Sequence, residues 1–369
     1  MLPWLGDSAF VVHVAKAGND GNGGLAQQYP VDLAADAKLT IAGALAVCPD
    51  GGTILIWPGD YAEAVDLVTA EKSISLVGTH RQKSRIIPGA EGGTYGIDLY
   101  DYCNVINLSV YCEDATARAV KGDLSDNKDF QIINCDIRSD GVDGLYLVTG
   151  IVKNCFIFCQ YDVLYLSAGD TTIDGCTLIG DAGLNNGCRG ISGGTKVILR
   201  NSTILLAPWY DKTGKGAPQY TITEPLKCIS GPDRLVMENC ILMADGYKVA
   251  STHEDSSFDA DAICIQLVND LTVNNCVLYA RTDQNKSKTA YGIQLYERAV
   301  IKNTNIYAGG QLASYEMYGS TPKVVWLNNV FYDQAKIHSN VTIEGNPADI
   351  IEINHDAGSA ANLKSHFGL

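Results

Sequence analysis

The sequence predicts an all-β solenoid, a single-stranded right-handed parallel β-helix closed at its start by a short helix, and three observations carry that prediction. One motif recurs nine times in 369 residues: apolar, any residue, Asn, small, any residue, apolar. It begins as Val105-Ile106-Asn107, Ile132-Ile133-Asn134-Cys135, Val152-Lys153-Asn154-Cys155 and Ile173-Asp174-Gly175-Cys176. It continues as Leu199-Arg200-Asn201-Ser202, Met237-Glu238-Asn239-Cys240, Val273-Asn274-Asn275-Cys276, Ile301-Lys302-Asn303-Thr304 and Trp326-Leu327-Asn328-Asn329. The third column holds Asn or Gly, the residues that most readily take positive φ, so it reads as a left-handed bend between two short strands. The bends fall 27, 20, 21, 26, 38, 36, 28 and 25 residues apart, with no amphipathic helical period between them. Coils of about 20 or more residues stacked at roughly 4.8 Å produce this pattern.

Upstream of the repeats, Phe10-Val11-Val12-His13-Val14 reads as a strand leading into a Gly-rich loop from Gly18 to Gly24. Thr40 then precedes Ile41, Ala44, Leu45 and Cys48, a short amphipathic helix with Thr40 as N-cap, ended by Pro49-Asp50-Gly51-Gly52. Placed there, the helix covers the open edge of the first coil. Thr53-Ile54-Leu55-Ile56-Trp57 and Ser73-Ile74-Ser75-Leu76-Val77 are the first strands of the stack. One domain is expected over 1–332, with 333–369 a distal cap or an oligomer-contact segment. Stacking sets like over like, so Asn107, Asn134 and Asn154 are expected to form an amide ladder. Cys135, Cys155, Cys176, Cys240 and Cys276 share the next column with Ser202 and Thr304, and read as small buried fillers. No CxxC pair occurs and the histidines show no ligand spacing, which disfavours Cys/His metal chemistry.

Charge narrows the partners. Asp and Glu number 42 against 27 Lys and Arg, a net charge of −15, and no basic cluster offers a footprint for nucleic-acid phosphates or anionic lipid. No apolar run approaches the roughly 20 residues that span a bilayer. Met1-Leu2-Pro3-Trp4-Leu5-Gly6-Asp7 lacks the basic start and long apolar run of a secretory signal, so the expectation is either a chain that stays in the cytosol where it is made, with reduced cysteines, or one whose processed leader is missing from this sequence.

Several segments resemble a known family. Val14-Ala15-Lys16-Ala17-Gly18, Thr40-Ile41-Ala42-Gly43-Ala44-Leu45, Pro49-Asp50-Gly51-Gly52, Trp57-Pro58-Gly59-Asp60-Tyr61-Ala62-Glu63 and Ile74-Ser75-Leu76-Val77-Gly78 are similar to the opening of pectin methylesterases. The wider group is the pectin-lyase-like right-handed β-helix superfamily, with its polysaccharide lyases, hydrolases and phage tailspikes. The likeness to the esterases continues through Asp143-Gly144-Leu145-Tyr146 and Tyr161-Asp162-Val163-Leu164. It implies Asp143 as general acid and Asp162 as nucleophile. The chain departs from the family in having Val142 before the first Asp, and Leu206-Ala207-Pro208-Trp209 without Arg where the family has Leu-Gly-Arg-Pro-Trp; Arg118 is the candidate substitute.

The spacing supports that geometry independently. Asp143 lies nine residues past its bend and Asp162 eight past its own, so neighbouring coils bring the carboxylates close. Two adjacent carboxyls do not both ionise easily, which leaves one as acid and one to attack an ester carbonyl. On sequence alone the preferred reading is plainer: both are solvated residues at strand starts. Insertions near 206–225, 244–262, 280–290 and 308–323 leave the solenoid at one phase and are expected to wall a groove. There Trp209, Tyr210, Tyr220 and Tyr247 offer ring faces to sugars or pack the loops themselves. Glu254, Asp255, Asp259 and Asp261 read as a hydrated acidic loop, with Ca²⁺ the alternative and no other cofactor expected.

Two function classes follow. The first, preferred, is a glycan-binding structural appendage of a virion, tailspike- or fibre-like, with a homotrimer or other virion proteins as partners and release by lysis. The second is a carbohydrate esterase or polysaccharide lyase using Asp143, Asp162 and Arg118. Both take a polysaccharide or cell-surface glycan as ligand.

Overall fold

The computed structural model describes residues 10–25, 32–89, 95–114, 116–122, 129–181, 188–207, 221–222, 225–246, 257–258, 260–282, 288–309, 313–332 and 334–345. The strands pair in parallel register from coil to coil, and each coil adds a strand to three faces. The first face runs from Val11–Val14 through Thr53–Ile56, Ser75–Gly78, Asn104–Ile106 and Asp129–Ile133 to Lys323–Phe331. The second carries Ser109–Cys112, Asp136–Ser139, Phe156–Cys159, Thr177–Asp181, Thr203–Ala207, Ile241–Asp245 and Val277–Arg281. The third carries Tyr95–Asp98, Arg118–Gly122, Asp143–Leu147, Asp162–Leu166, Arg189–Gly193 and Leu226–Ser230, and ends at Ala313–Gly319.

The expected bends connect the first face to the second. Asn107, Asn134, Asn154, Asn201, Asn239, Asn275 and Asn303 all have φ between 46° and 57°, and Gly175 has 64°. The last bend sits at Asn329 rather than Asn328, because Asn328 is still in strand register with Lys302. The amide ladder forms in part. Asn134 Nδ2 donates to Asn107 Oδ1 at 2.7 Å, but at the next rung a guanidinium takes over. Arg81 donates to Asn134 Oδ1 at 3.3 Å and to the carbonyls of Cys135 and Asn154. Further along, Asn239 donates to Asn201 Oδ1 at 3.1 Å and Asn275 to Asn239 Oδ1 at 2.8 Å. Replacing Asn239 by Ala removes both bonds and leaves a Cβ-bearing residue at φ 56°, a loss of about 2 kcal/mol in a denaturant titration.

The interior is one continuous apolar column built from all three faces. Cys135, Cys155, Cys176, Cys240 and Cys276 are buried beside the bends with Ser202 and Thr304, as their shared column requires. Their small polar tips pair between coils: Cys135 N–H donates to Cys155 Sγ at 3.5 Å, Cys176 N–H to Ser202 Oγ at 3.0 Å and Cys240 N–H to Cys276 Sγ at 3.4 Å. All twelve cysteines are free and buried. Iodoacetamide at pH 8 is therefore expected to label none of them in the native protein and all of them after denaturation, as read by mass spectrometry.

The ends differ in detail from expectation. The N-terminal helix is Ile41–Val47, with Thr40 Oγ1 accepting from Gly43 N–H at 2.9 Å. The Glu63 carboxylate accepts from Ile41 and Ala42 N–H, satisfying donors that the helix cannot. A one-turn helix, Leu67–Ala70, was not expected; Asp66 caps it, its Oδ1 accepting from Thr69 N–H. The stretch 308–323 contains the strand Ala313–Gly319 rather than an insertion. Beyond residue 332, Val341–Gly345 pairs with Lys323–Leu327 and adds a further strand to the first face.

Candidate functional site

The third face begins each strand immediately after the junction from the second face. Stacking sets the opening residues of successive strands in one column: Tyr95, Arg118, Asp143, Asp162 and Arg189 at first positions, then Lys227 at the second position of Leu226–Ser230. Asp143 and Asp162 are thus register partners, with backbones about 4.8 Å apart. Gly141 lets the Asp143 coil close onto the preceding one, that of Arg118, since a Cβ there would lie 2.1 Å from Ala117 O and 2.5 Å from Asp114 O.

Both carboxylates are sealed between arginines. Arg118 Nε meets Asp143 Oδ2 at 2.7 Å, and Arg189 Nε meets Asp162 Oδ1 at 2.7 Å. The Asp side chains are only 4% and 1% exposed, against 32% for each arginine. They are therefore not solvated residues at strand starts: the guanidiniums and the neighbouring coils cover them. The cations sit over aromatic rings, Arg118 4.6 Å above Tyr146 and Arg189 5.4 Å from Tyr161. Tyr146 and Tyr165, in the adjacent column, stack at 4.9 Å.

Burial decides the electrostatics. It raises the Asp162 carboxyl to about 7, against the pull of Arg189 and with the Asp143 charge adding to the rise. Burial also raises Asp143, with Arg118 opposing. Asp162 accordingly keeps its proton up to about neutrality, chiefly because it is buried. Beneath it, the buried Cys159 thiol is pushed up to about 12, first by burial and then by both carboxylates, so it stays neutral. Between the ordinary carboxylate value of 3.8 and about 7, the folded protein holds a proton that the unfolded chain has shed. Stability contributed by this group therefore falls as pH rises through that window and is level above it. The melting-temperature difference between wild type and Asp162→Asn is expected to shift against the wild type from pH 4 to 7 and then stay constant.

Arg118, Asp143 and Asp162 are brought together. Trp209, Tyr210, Tyr220, Tyr247, Glu254, Asp255 and Asp259 lie outside the described residues. Asp261 is described, and its Oδ1 accepts from Thr289 N–H at 2.9 Å, an inter-coil tie at the start of the third face. Among the described residues no cluster of three His, Cys, Asp or Glu side chains is arranged to hold a metal, and no helix is long and apolar enough to cross a membrane. Sequence reasoning missed Arg189 and Lys227. The signal was present: Cys188-Arg189-Gly190-Ile191 repeats the small–Arg–small–branched start of Ala117-Arg118-Ala119-Val120, and aligning strand starts rather than bends exposes it.

Strand register and buried column define the class of this chain as a parallel β-helix. No protein-family model matches it, and no curated protein matches it. Solved structures that it resembles include a pectin methylesterase from carrot, at 12% identity over 92% of this chain and 89% of that one, with a TM-score of 0.42. Pectate lyase Pel9A matches at 11% identity over 97% of this chain and 84% of that one, with a TM-score of 0.47. Tailspike protein 2 of Escherichia coli O157:H7 bacteriophage CAB120 matches at 12% identity over 82% of this chain but only 43% of that one, with a TM-score of 0.43.

Proposed function

We propose that this protein recognises a polysaccharide on its third face and that Asp143 and Asp162 form a reactive pair for hydrolysis of a carbohydrate ester. The observation that supports this reading is the in-register Arg118–Asp143–Asp162–Arg189 column, whose two carboxyls are buried and whose Asp162 keeps its proton to about neutrality. In ester hydrolysis the ionised carboxylate of the pair attacks the carbonyl carbon. The protonated one donates to the departing alkoxide, which leaves as an alcohol. Water then attacks the acyl-enzyme, giving its proton to the carboxylate that had acted as acid and restoring the nucleophile. The guanidiniums of Arg118 and Arg189 lie beside the pair, where donors stabilise negative charge developing on the carbonyl oxygen. Burial favours the proton on Asp162 in the free protein, which makes Asp162 the acid and Asp143 the attacking carboxylate, the reverse of the roles that the family resemblance implies.

Activity belongs to the singly protonated pair. Methanol release from methyl-esterified polygalacturonate is expected to fall as pH rises past about 7, where the Asp162 proton leaves. Activity that instead keeps rising through pH 8 and 9 contradicts this assignment.

A second reading is a glycan-binding appendage of a virion that holds its ligand without turning it over. It is favoured by the stiff, continuous solenoid and by the fact that each carboxylate already has an arginine partner. Glycan binding without methanol release at any pH supports the appendage over the esterase.

A further inference from the structure

The two outward columns of the third face continue well past the carboxyl pair. Beside the Arg118-to-Lys227 column runs Lys121, Tyr146, Tyr165, Ser192, Ser230, Gln266, Gln294 and Tyr318, one residue per coil. The first column itself continues beyond Lys227 through Ile263 to Tyr291 and Tyr315. The two columns end together in a ring cluster. Tyr291 and Tyr315 stack at 6.0 Å, and Tyr318 lies 5.2 Å from each. His338 closes the group, 4.5 Å from Tyr318 and 5.3 Å from Tyr315. Its backbone is held in place, since His338 N–H donates to Met317 O at 3.1 Å.

These rings are half-buried, and they lie outside the apolar core that their chain neighbours Ile293 and Met317 join. They therefore face away from the core, on the face that carries the carboxyl pair. From Asp162 the register runs through Arg189, Lys227 and Ile263 to Tyr291 and then Tyr315, four and five steps, or about 19 and 24 Å. Between lie neutral hydrogen-bonding side chains, the buried Ser192 and Ser230 and then the part-buried Gln266 and Gln294, of which Gln266 Nε2 donates to Gln294 Oε1 at 2.6 Å.

We infer that Tyr291, Tyr315, Tyr318 and His338 form a distal subsite that stacks against the apolar face of a pyranose ring of the same polysaccharide chain that meets Asp143 and Asp162. This rests on the reading of the third face as the glycan surface. Rings offered at one end of a straight, hydroxyl-matched strip suit a sugar polymer running along the solenoid axis. A disaccharide at the carboxyl pair does not reach them, whereas an octasaccharide does.

The test uses the full chain and methyl-esterified oligogalacturonides from disaccharide to octasaccharide, with a polysaccharide array alongside. Wild type is expected to bind the octasaccharide at least tenfold more tightly than the disaccharide, by roughly the worth of one or two stacked rings. Tyr315→Ala and Tyr318→Ala should each remove most of that chain-length gain, leave disaccharide binding unchanged and shift the same way any array glycan that wild type captures. Tyr315→Phe and Tyr318→Phe keep the rings and should bind like wild type, and melting curves confirm that all four variants fold. Alanine variants that bind every length as wild type does overturn the subsite, as does a wild type that binds no glycan. Methanol release that depends on Asp162 but shows no chain-length gain defeats the subsite alone. Tyrosine-dependent binding without methanol release defeats the esterase chemistry alone.

Discussion

If the esterase reading holds, Asp162→Asn is expected to lower methanol release from methyl-esterified polygalacturonate by about a thousandfold or more, because the substitution removes both the proton reservoir and half of the nucleophile–acid pair. The amide is nearly isosteric and still presents an oxygen to Arg189 Nε, now 2.7 Å from Asp162 Oδ1, so the third face is expected to keep its shape. Asp143→Asn should cost about as much, and the double variant little more than either alone, since the two groups act as a unit. Arg189→Lys is the informative companion. It keeps the charge but not the planar fork, and it is expected to reduce activity while weakening the downward pull on the Asp162 carboxyl, so that the pH at which activity falls moves upward. Unchanged activity in Asp162→Asn removes the esterase reading and leaves the glycan-binding appendage.

Gly141→Ala is expected to destabilise the protein by about 3 kcal/mol or more and to disrupt the packing of the carboxyl pair. The added methyl would sit 2.1 Å from Ala117 O and 2.5 Å from Asp114 O, both backbone atoms of the preceding coil, so no side-chain rotation relieves it. The coils must part at the turn that delivers Asp143 to its register with Arg118 and Asp162. Gly175→Ala meets a softer obstacle, the end of the Asn154 side chain at 2.6 Å, and with φ at 64° its cost is set mainly by backbone conformation. A melting temperature for Gly141→Ala close to that of Gly175→Ala contradicts this ranking.

The solenoid was legible because its signal is local and repeated: an Asn that bends the chain, a small residue after it and apolar residues on either side. Eight of the nine bends fall where the motif puts them. The ninth slips by one because Asn328 and Asn329 satisfy the motif equally, and only pairing with Lys302 separates them. The Asp143–Asp162 juxtaposition was legible for the same reason, as a nearly constant offset from the bend. Its burial was not: it depends on Arg118 and Arg189 folding over the carboxylates, and side-chain direction is not written in spacing. Arg189 escaped because the long connection after Asp181 interrupts the offset that places Asp143 and Asp162. The Tyr291–Tyr315–Tyr318–His338 cluster escaped because its members come from three separate segments and meet only when the coils stack.

That coil stacking buries two carboxyls side by side, so that Asp162 keeps a proton to about neutrality, is tested by a carbon-13 carboxyl NMR titration of aspartate-labelled protein, with Asp143→Asn and Asp162→Asn used for assignment. One wild-type carboxyl is expected to titrate at about 7, to be lost in Asp162→Asn and to move downward in Asp143→Asn once the neighbouring charge is gone. Two carboxyls that both titrate near the ordinary value of 3.8, each indifferent to the other's substitution, would contradict it.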